Sequence, residues 1–557
     1  MTMPRRNGIS LLLTFLLVST FFVRAETIPG LGAATFLTST RSAAAEHEFM
    51  RGLLLLHLFE YDDAANSFIA AEKADPDFVM AYWGEAMTFN HPVWNEVDVQ
   101  AGQAALAKFG PTPDARTQRI ADPRERAWFS TVEILYSGVG SKPERDARYA
   151  TAMQRLSRSY PKDDEARLFC ALALLGKSEG VRDVPTYLEA AAIAKAVFMR
   201  NPGHPGAAHY WIHAMDDPQH AAGALVAARA LSKIAPDAAH AQHMCSHIFL
   251  ALGMWDDVVR ANIAATAVTN QHAAAAGRPP RRCGHYNYWL EYGYLEQGRI
   301  GAAKKVVAGC RDEATQHGMA AKARGTVDPD DASVSSFVEM RARYLVDTGR
   351  WQDEVAGWKV DMGGALMPKI NDAFATGFAA AEGGDLPTAR NSLATLLDLS
   401  LQAPAAFDAA GTPPGGPMRR VPQIQRLQLQ AVILSAEGHG DEAIAMAQQA
   451  VAAGEGLPYA FGPPSPKKPS YELLGELLLK ESRNAPARAA FEASLQRAPQ
   501  RTESLLGLAR AESAMGDKAA AAETWRKLLE IWKNADPEYL PEENAQRNLS
   551  ALSHVAN

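Results

Sequence analysis

Four cysteines (Cys170, Cys245, Cys283 and Cys310) in 557 residues are too few to staple a chain of this length, so burial of apolar surface must hold the fold together. Beyond the first 25 residues no apolar run approaches the roughly 18 residues that a membrane-spanning helix needs. Strand-like alternation of polar and apolar residues is missing over any convincing length. Also missing are the strand–turn–helix settings of a P-loop, a dinucleotide fingerprint or a G-x-S-x-G elbow. Positive charge is in deficit, with 56 Lys+Arg against 63 Asp+Glu. That balance argues against nucleic acid and anionic membrane surfaces as partners.

The one long apolar run stands at the start. Arg5 and Arg6 precede an apolar stretch from Ile9 to Val23, which ends in Arg24 and Ala25 before Glu26. The pattern predicts a cleaved secretory signal peptide over 1–25 and a periplasmic or secreted protein. Its removal takes away Arg5, Arg6 and Arg24 and no acid, leaving 53 basic against 63 acidic side chains, a net charge of −10.

From there helical periodicity runs nearly to the end, in Ala- and Leu-rich segments broken by Gly, Asp or Pro, so the fold class is all-α. Tyr471, Leu474, Gly475, Ala487, Phe491 and Pro499 fall at the offsets of the 34-residue pattern W-x2-L-G-x2-Y…A-x3-F…P. Gly52, Tyr61, Ala64 and Phe68 repeat part of it, Trp83-Gly84 marks a close-packing turn, and Gly253, Gly298, Gly349, Gly384 and Gly438 mark further turns. The chain resembles the tetratricopeptide repeat (TPR) family. The resemblance implies an α-solenoid of stacked helix–turn–helix repeats forming a curved superhelix, because such hairpins cannot bury their apolar faces alone.

The expected layout is an N-terminal extension over 26–44, a TPR-like solenoid over 45–400 with a histidine-rich concave centre at 204–292, a Pro/Gly-rich loop or hinge at 401–422, C-terminal repeats over 423–535 and a tail over 536–557. Residues 92–165 fit the repeat poorly and read as a loop at 110–123 followed by two helices. A second Pro/Gly-rich stretch, 453–470, also reads as a loop or hinge. Trp83, Trp211, Trp255, Trp289, Trp351 and Trp525 fall at repeat-packing positions and are expected in the core.

A narrower resemblance rests on AYWGEAM (81–87), ERAWFSTVEILYS (125–137), HPGAAHYWIHA (204–214) and HAQHMCSHIFLALGMWDDVVRAN (240–262). Together these are similar to a group of exported bacterial repeat proteins with the motifs HPGA-x-H-x-x-IHA and GHxxHMPSHI in this order. Here Met-Cys-Ser (244–246) stands where that group has Met-Pro-Ser. The resemblance covers roughly 46–300 and implies the architecture and a histidine cluster, not a reaction.

Nine of the fifteen histidines lie in this region: His204, His209, His213, His220, His240, His243, His247, His272 and His285. His209/His213 and His243/His247 are spaced i,i+4, which stacks both rings on one helix face. In TPR proteins the second, fifth and ninth positions of each first helix face the groove. That places His240, His243 and His247 there, then His285, Tyr288 and Tyr292, with His209 and His213 one repeat earlier. Glu85, Glu339 and Arg343 take groove positions in other repeats. Cys245 points into the helix–helix core as an inert thiol, and Cys283 and Cys310 fall within reach of a disulfide near the ends of one helix pair. His91, His220, His272, His317, His439 and His554 are expected to be packed or at the surface.

Neutral imidazoles suit Zn, Cu or Ni; four close a site, whereas three leave a position open for chemistry. An H-E-x-x-H protease signature is excluded, because Tyr210 and Met244 follow the first histidine of each pair. A general base would come from Asp216, Asp217 or Glu291, the nearest acids in sequence. Three functions follow. The first is a groove binding a peptide, protein or small-molecule partner, with the histidines as metal site or polar contacts. The second is a metal-dependent enzyme using His209, His213, His243 and His247, with His240 and His285 as further ligands or supports. The third is a scaffold in an envelope assembly, the histidines forming only a structural network.

Overall fold

The computed structural model describes residues 26–178, 182–324, 332–409, 416–459 and 461–554. The expected signal peptide lies outside them. Among the described residues there are twenty-five α-helices, stacked largely as antiparallel pairs, and two hairpins of two- and three-residue strands. The class is an all-α solenoid of TPR-like repeats, as the periodicity implies. Among the described residues no helix is long and apolar enough to cross a membrane.

Two sequence features set the repeat. After eight of the helices one turn residue adopts a left-handed conformation: Phe59, Gly253, Gly298, Gly349, Gly384, Gly438, Ser482 and Gly516, with φ between 59° and 86°. Glycine does this without strain. The second feature is a ring held between two glycines. Phe68 packs on Gly52 and Gly84, and Phe491 on Gly475 and Gly507; a Cβ at Gly507 would come within 2.2 Å of the Phe491 ring, and one at Gly84 within 2.3 Å of Phe68. Gly507→Val is therefore expected to destabilise the chain by about 1–3 kcal/mol through overpacking. Urea unfolding should show a lower midpoint at unchanged slope.

Several expectations are corrected. The 110–123 stretch contains a helix, Pro113–Arg119, started by the Thr112 side chain accepting from Ala115 N at 3.2 Å and by Pro113 in the first turn. Residues 401–409 continue the helix Leu386–Ala409 through Pro404, and 410–415 lie outside the described residues. One apolar core runs from the 366–382 helix to the 484–497 helix, across the expected hinge. The tail holds a helix, Leu540–His554. The extension forms a hairpin tied to two later turns by Ala33 N donating to Gly203 O (3.0 Å) and Asp237 N to Gly30 O (3.1 Å).

The superhelix also closes on itself. Trp255 Nε1 donates to Gln500 O at 3.1 Å, Trp532 Nε1 to Glu296 O at 3.2 Å, and Asp536 N to Gly298 O at 3.1 Å. At this seam Arg501 is buried among Glu296, Asp347 and Glu472, at 3.0, 2.7 and 2.8 Å.

Of the expected 453–470 loop, residues 455–459 and 461–469 lie between the helices Gly440–Gly454 and Ser470–Lys480 as a loop on the inner face. Arg343, fully buried, donates to Lys467 O (2.6 Å) and Pro464 O (2.5 Å); Lys467 pairs with Glu339 at 3.2 Å, and Gln428 donates to Lys468 O at 2.7 Å. A Cβ at Gly462 would meet the Trp289 ring at 2.5 Å, so only glycine lets the backbone lie this close.

Candidate metal centre

Three first helices position the histidines: Pro205–Met215, Ala239–Ala251 and His285–Glu296. The first starts cleanly because Pro205 occupies its first turn and the His204 ring caps Ala207 N. Stacked side by side, the helices bring all six expected residues together, and they sort them into two triads. His209, His213 and His240 form one; His243, His247 and His285 form the other; within each, one nitrogen per ring lies within 4.8 Å of the others. The grouping differs from the expected set of four ligands, His209, His213, His243 and His247, because His240 and His285 stand as full members. The triads adjoin, with the rings of His213 and His247 at 5.9 Å and those of His240 and His243 at 6.2 Å.

The position of each ring hydrogen follows from the partner of its Nδ1. His209 Nδ1 lies 2.7 Å from His57 O. A carbonyl only accepts, so Nδ1 carries the hydrogen and Nε2 keeps its lone pair. The Nε2 atoms of His209, His213 and His240 are all buried without a hydrogen-bond partner. Burial brings the His209 imidazole down to about 3 and holds His213, His240 and His243 well below the usual histidine range, so these rings are neutral.

In the second triad the same logic is tighter. Asn262 Nδ2 donates to Val258 O at 2.9 Å, which turns its Oδ1 toward His243 Nδ1 at 2.7 Å. His247 Nδ1 faces Asp216 Oδ2 at 2.5 Å. Both Nδ1 atoms therefore donate, and the two Nε2 atoms meet at 3.1 Å. Carboxylate and amide partners behind the ring are the arrangement that orients metal-bound imidazoles. His285 stands at the exposed rim.

A third cluster was not foreseen. Glu165, fully buried, takes His57 Nε2 at 2.6 Å and His204 Nε2 at 2.7 Å, while Tyr210 OH lies 2.8 Å from His57 Nδ1. Its polar atoms satisfy one another, so it reads as a structural tie whose product is the His57 carbonyl that fixes His209. Phe59 was also missed. Its ring lies 4.3 Å from that of His209 and 5.5 Å from that of His240. The available signal was a phenylalanine in the left-handed turn slot that glycine fills in six other repeats.

The remaining expected residues sit elsewhere. Glu85 is buried in an ion pair with Lys108 at 2.5 Å. Tyr292 is buried edge-on to Trp255, and Arg343, Glu339 and Tyr288 surround the 464–468 loop, with Lys467 Nζ 5.9 Å from the Tyr288 ring. These five therefore do not form an open ligand groove. None of the three acids is free to serve as base: Asp216 holds His247, Asp217 pairs with Arg182 (2.5 Å) and His220 (2.8 Å), and Glu291 is sealed in the interior, where burial pushes its carboxyl well up. Cys245 is buried as expected, its thiol pushed up to about 12 by burial. Cys283 and Cys310 are joined in a disulfide, pinning the backbone just before His285 to the helix Ile300–Arg324.

Repeat geometry and site together define a TPR-like helical-repeat protein with a buried histidine centre. No family model matches the chain, and no curated protein matches it. Among solved structures it is similar to the APC/C hetero-tetramer Cut9–Hcn1 (12% identity, TM-score 0.34, covering 91% of this chain and 76% of that one). It is also similar to yeast Tom70 (11% identity, TM-score 0.29, covering 92% and 96%). The class stands on the repeat geometry of the chain itself.

Proposed function

We propose that this is an exported helical-repeat protein that binds two transition-metal ions side by side, one per histidine triad, and presents them to a small-molecule partner. The observation that carries this reading is the 3.1 Å meeting of His243 Nε2 and His247 Nε2, each ring having its hydrogen fixed on the far nitrogen by Asn262 and Asp216. Two lone pairs at that distance repel unless a cation or a proton lies between them. A proton shared there does nothing for the three orphaned Nε2 atoms of the other triad, whereas an ion in each triad answers both. Three neutral nitrogens per ion favour Zn, Cu or Ni and leave a coordination position open. Export draws support from the N-terminal pattern and from the Cys283–Cys310 disulfide. A small molecule is favoured over a peptide because the chain's own 464–468 loop engages Arg343 and Glu339.

Elemental analysis of untagged protein from the exported fraction tests this. We expect close to two Zn, Cu or Ni ions per chain, and close to one in His243→Ala/His247→Ala. Less than half an ion in the wild type, or equal content in both proteins, would overturn the reading.

A further inference from the structure

Beside the two triads lies a chamber of about 260 Å³ into which His213, His240, His247 and His285 all face. Its other walls are Val93, Trp94, Leu175, Tyr187, Met244 and Phe461. Among the described residues no lysine, arginine or acid lines it. His285 also borders an outer cleft of about 710 Å³ shared with Phe59, Glu60 and Tyr286, which gives a small molecule a way in past the rim.

These walls restrict what fits. A sugar, peptide or nucleotide would leave several hydroxyls or amides against apolar carbon, each at a cost of about 1–3 kcal/mol. The floor imposes a second condition, and this step rests on the two-ion reading. Two divalent ions on neutral imidazoles place four positive charges in an apolar surrounding, and the carboxylates that touch the triads, Asp216 and Glu60, are held by His247 Nδ1 and the His240 backbone N. Such a site draws a negatively charged donor atom. Three aromatic side chains among the six remaining walls favour a flat ring.

We infer that the chamber takes a small aromatic anion, benzoate-like or phenolate-like, with its charged oxygen at the metal ions and its ring against Trp94, Tyr187 and Phe461. Phe461 belongs to the loop on the inner face, so the loop supplies part of the specificity.

Cobalt(II)-loaded protein provides the test, because its visible absorption bands report changes in coordination. Benzoate, phenol and acetate are titrated separately. Benzoate or phenol should perturb the bands at a concentration at least tenfold below acetate, the gain from burying a ring. Phe461→Ala should weaken the aromatic ligand at least fivefold and leave acetate unchanged, with its cobalt bands showing that the centre is intact. Cobalt bands that respond equally to acetate and to the aromatic ligands, or to none of them, would overturn the inference while leaving the metal reading standing. If no cobalt bands form, the metal reading itself fails and this inference with it.

Discussion

Arg501→Ala is expected to cost about 3–5 kcal/mol of unfolding stability, the range for removing one partner from a buried ion pair. The guanidinium is fully buried and spends every N–H on carboxylates: Nε and Nη2 on Glu472 (2.8 and 3.0 Å), Nη2 on Asp347 (2.7 Å), and Nη1 on Glu296 (3.0 Å) and on Asp347 (3.3 Å). These acids come from three helices lying up to 205 residues away along the chain. Removing the cation leaves three buried carboxylates leaning on Arg343, Lys468, Thr502 and Ser504. The loss should depend on pH with a definite sign. Burial pushes the Glu472 carboxyl up, but Arg501 and Lys468 outweigh it and bring it down to about 2. An unfolded glutamate titrates near 4.3, so a depressed folded value contributes stability above roughly that pH and loses it as pH falls toward 2. Urea unfolding should therefore show the wild-type advantage in full at pH 6–7 and shrinking below about pH 4. A gap that is constant with pH would mean that Arg501 acts by packing alone.

This seam could not be read from the sequence, and the reason is physical. A 34-residue period reports what each helix pair needs from its immediate neighbours; it carries no term for where a superhelix meets itself two hundred residues later. The repeat itself was legible because Gly475, Ala487 and Phe491 obey a spacing that packing enforces locally, with a ring between two glycines in the first and last repeats alike. That His240, His243 and His247 share one side of their helix was legible for the same reason, since an i, i+3, i+7 spacing places them there; which way that side turns was only implied by the resemblance to TPR proteins. Their division into triads was not, because it depends on how far each helix is rotated against the next. The tautomer-setting partners were also out of reach. Asn262 follows His243 by 19 residues on the paired helix, a distance with no pattern of its own. The helix at 113–119 is different: Thr112 and Pro113 were a start signal in plain view, outweighed by the surrounding Gly and Pro.

The segments that break the repeat gather around the histidines. Residues 92–97, the beginning of the poorly fitting stretch, put Val93 and Trp94 on the chamber wall, with Trp94 5.7 Å from the His240 ring. The Pro/Gly-rich loop delivers Phe461 to the same chamber, and Phe59 breaks the glycine rule of the turns against His209. Three independent departures from local consistency at one place are what a functional site produces, since each costs stability that the repeats supply. His213, His240, His247 and His285 thus face a chamber reached past the exposed His285, with the solenoid as its frame.

Asn262→Leu should weaken metal binding at the His243 triad by about 10–100-fold, the usual effect of losing a group that orients a ligand. Leucine keeps the branching of asparagine at the fully buried position with somewhat more bulk; it removes the Oδ1 acceptor together with the Nδ2 donor to Val258 O, a carbonyl of the same helix. Without Oδ1 the His243 Nδ1 hydrogen has only Ser246 Oγ as an acceptor, at a long 3.5 Å. The neutral ring then gains by moving its hydrogen to Nε2, where it can donate to His247 Nε2 at 3.1 Å, and the lone pair that would bind the ion is consumed. Asn262→Asp keeps an acceptor at the same place and should retain binding within a few fold of wild type. Metal titration against a competing chelator reads both, with near-ultraviolet circular dichroism to confirm that the core is unchanged. Equal affinities for the leucine variant and the wild type would show that the His243 tautomer is not set by Asn262, and would remove the main support for an ion between His243 and His247.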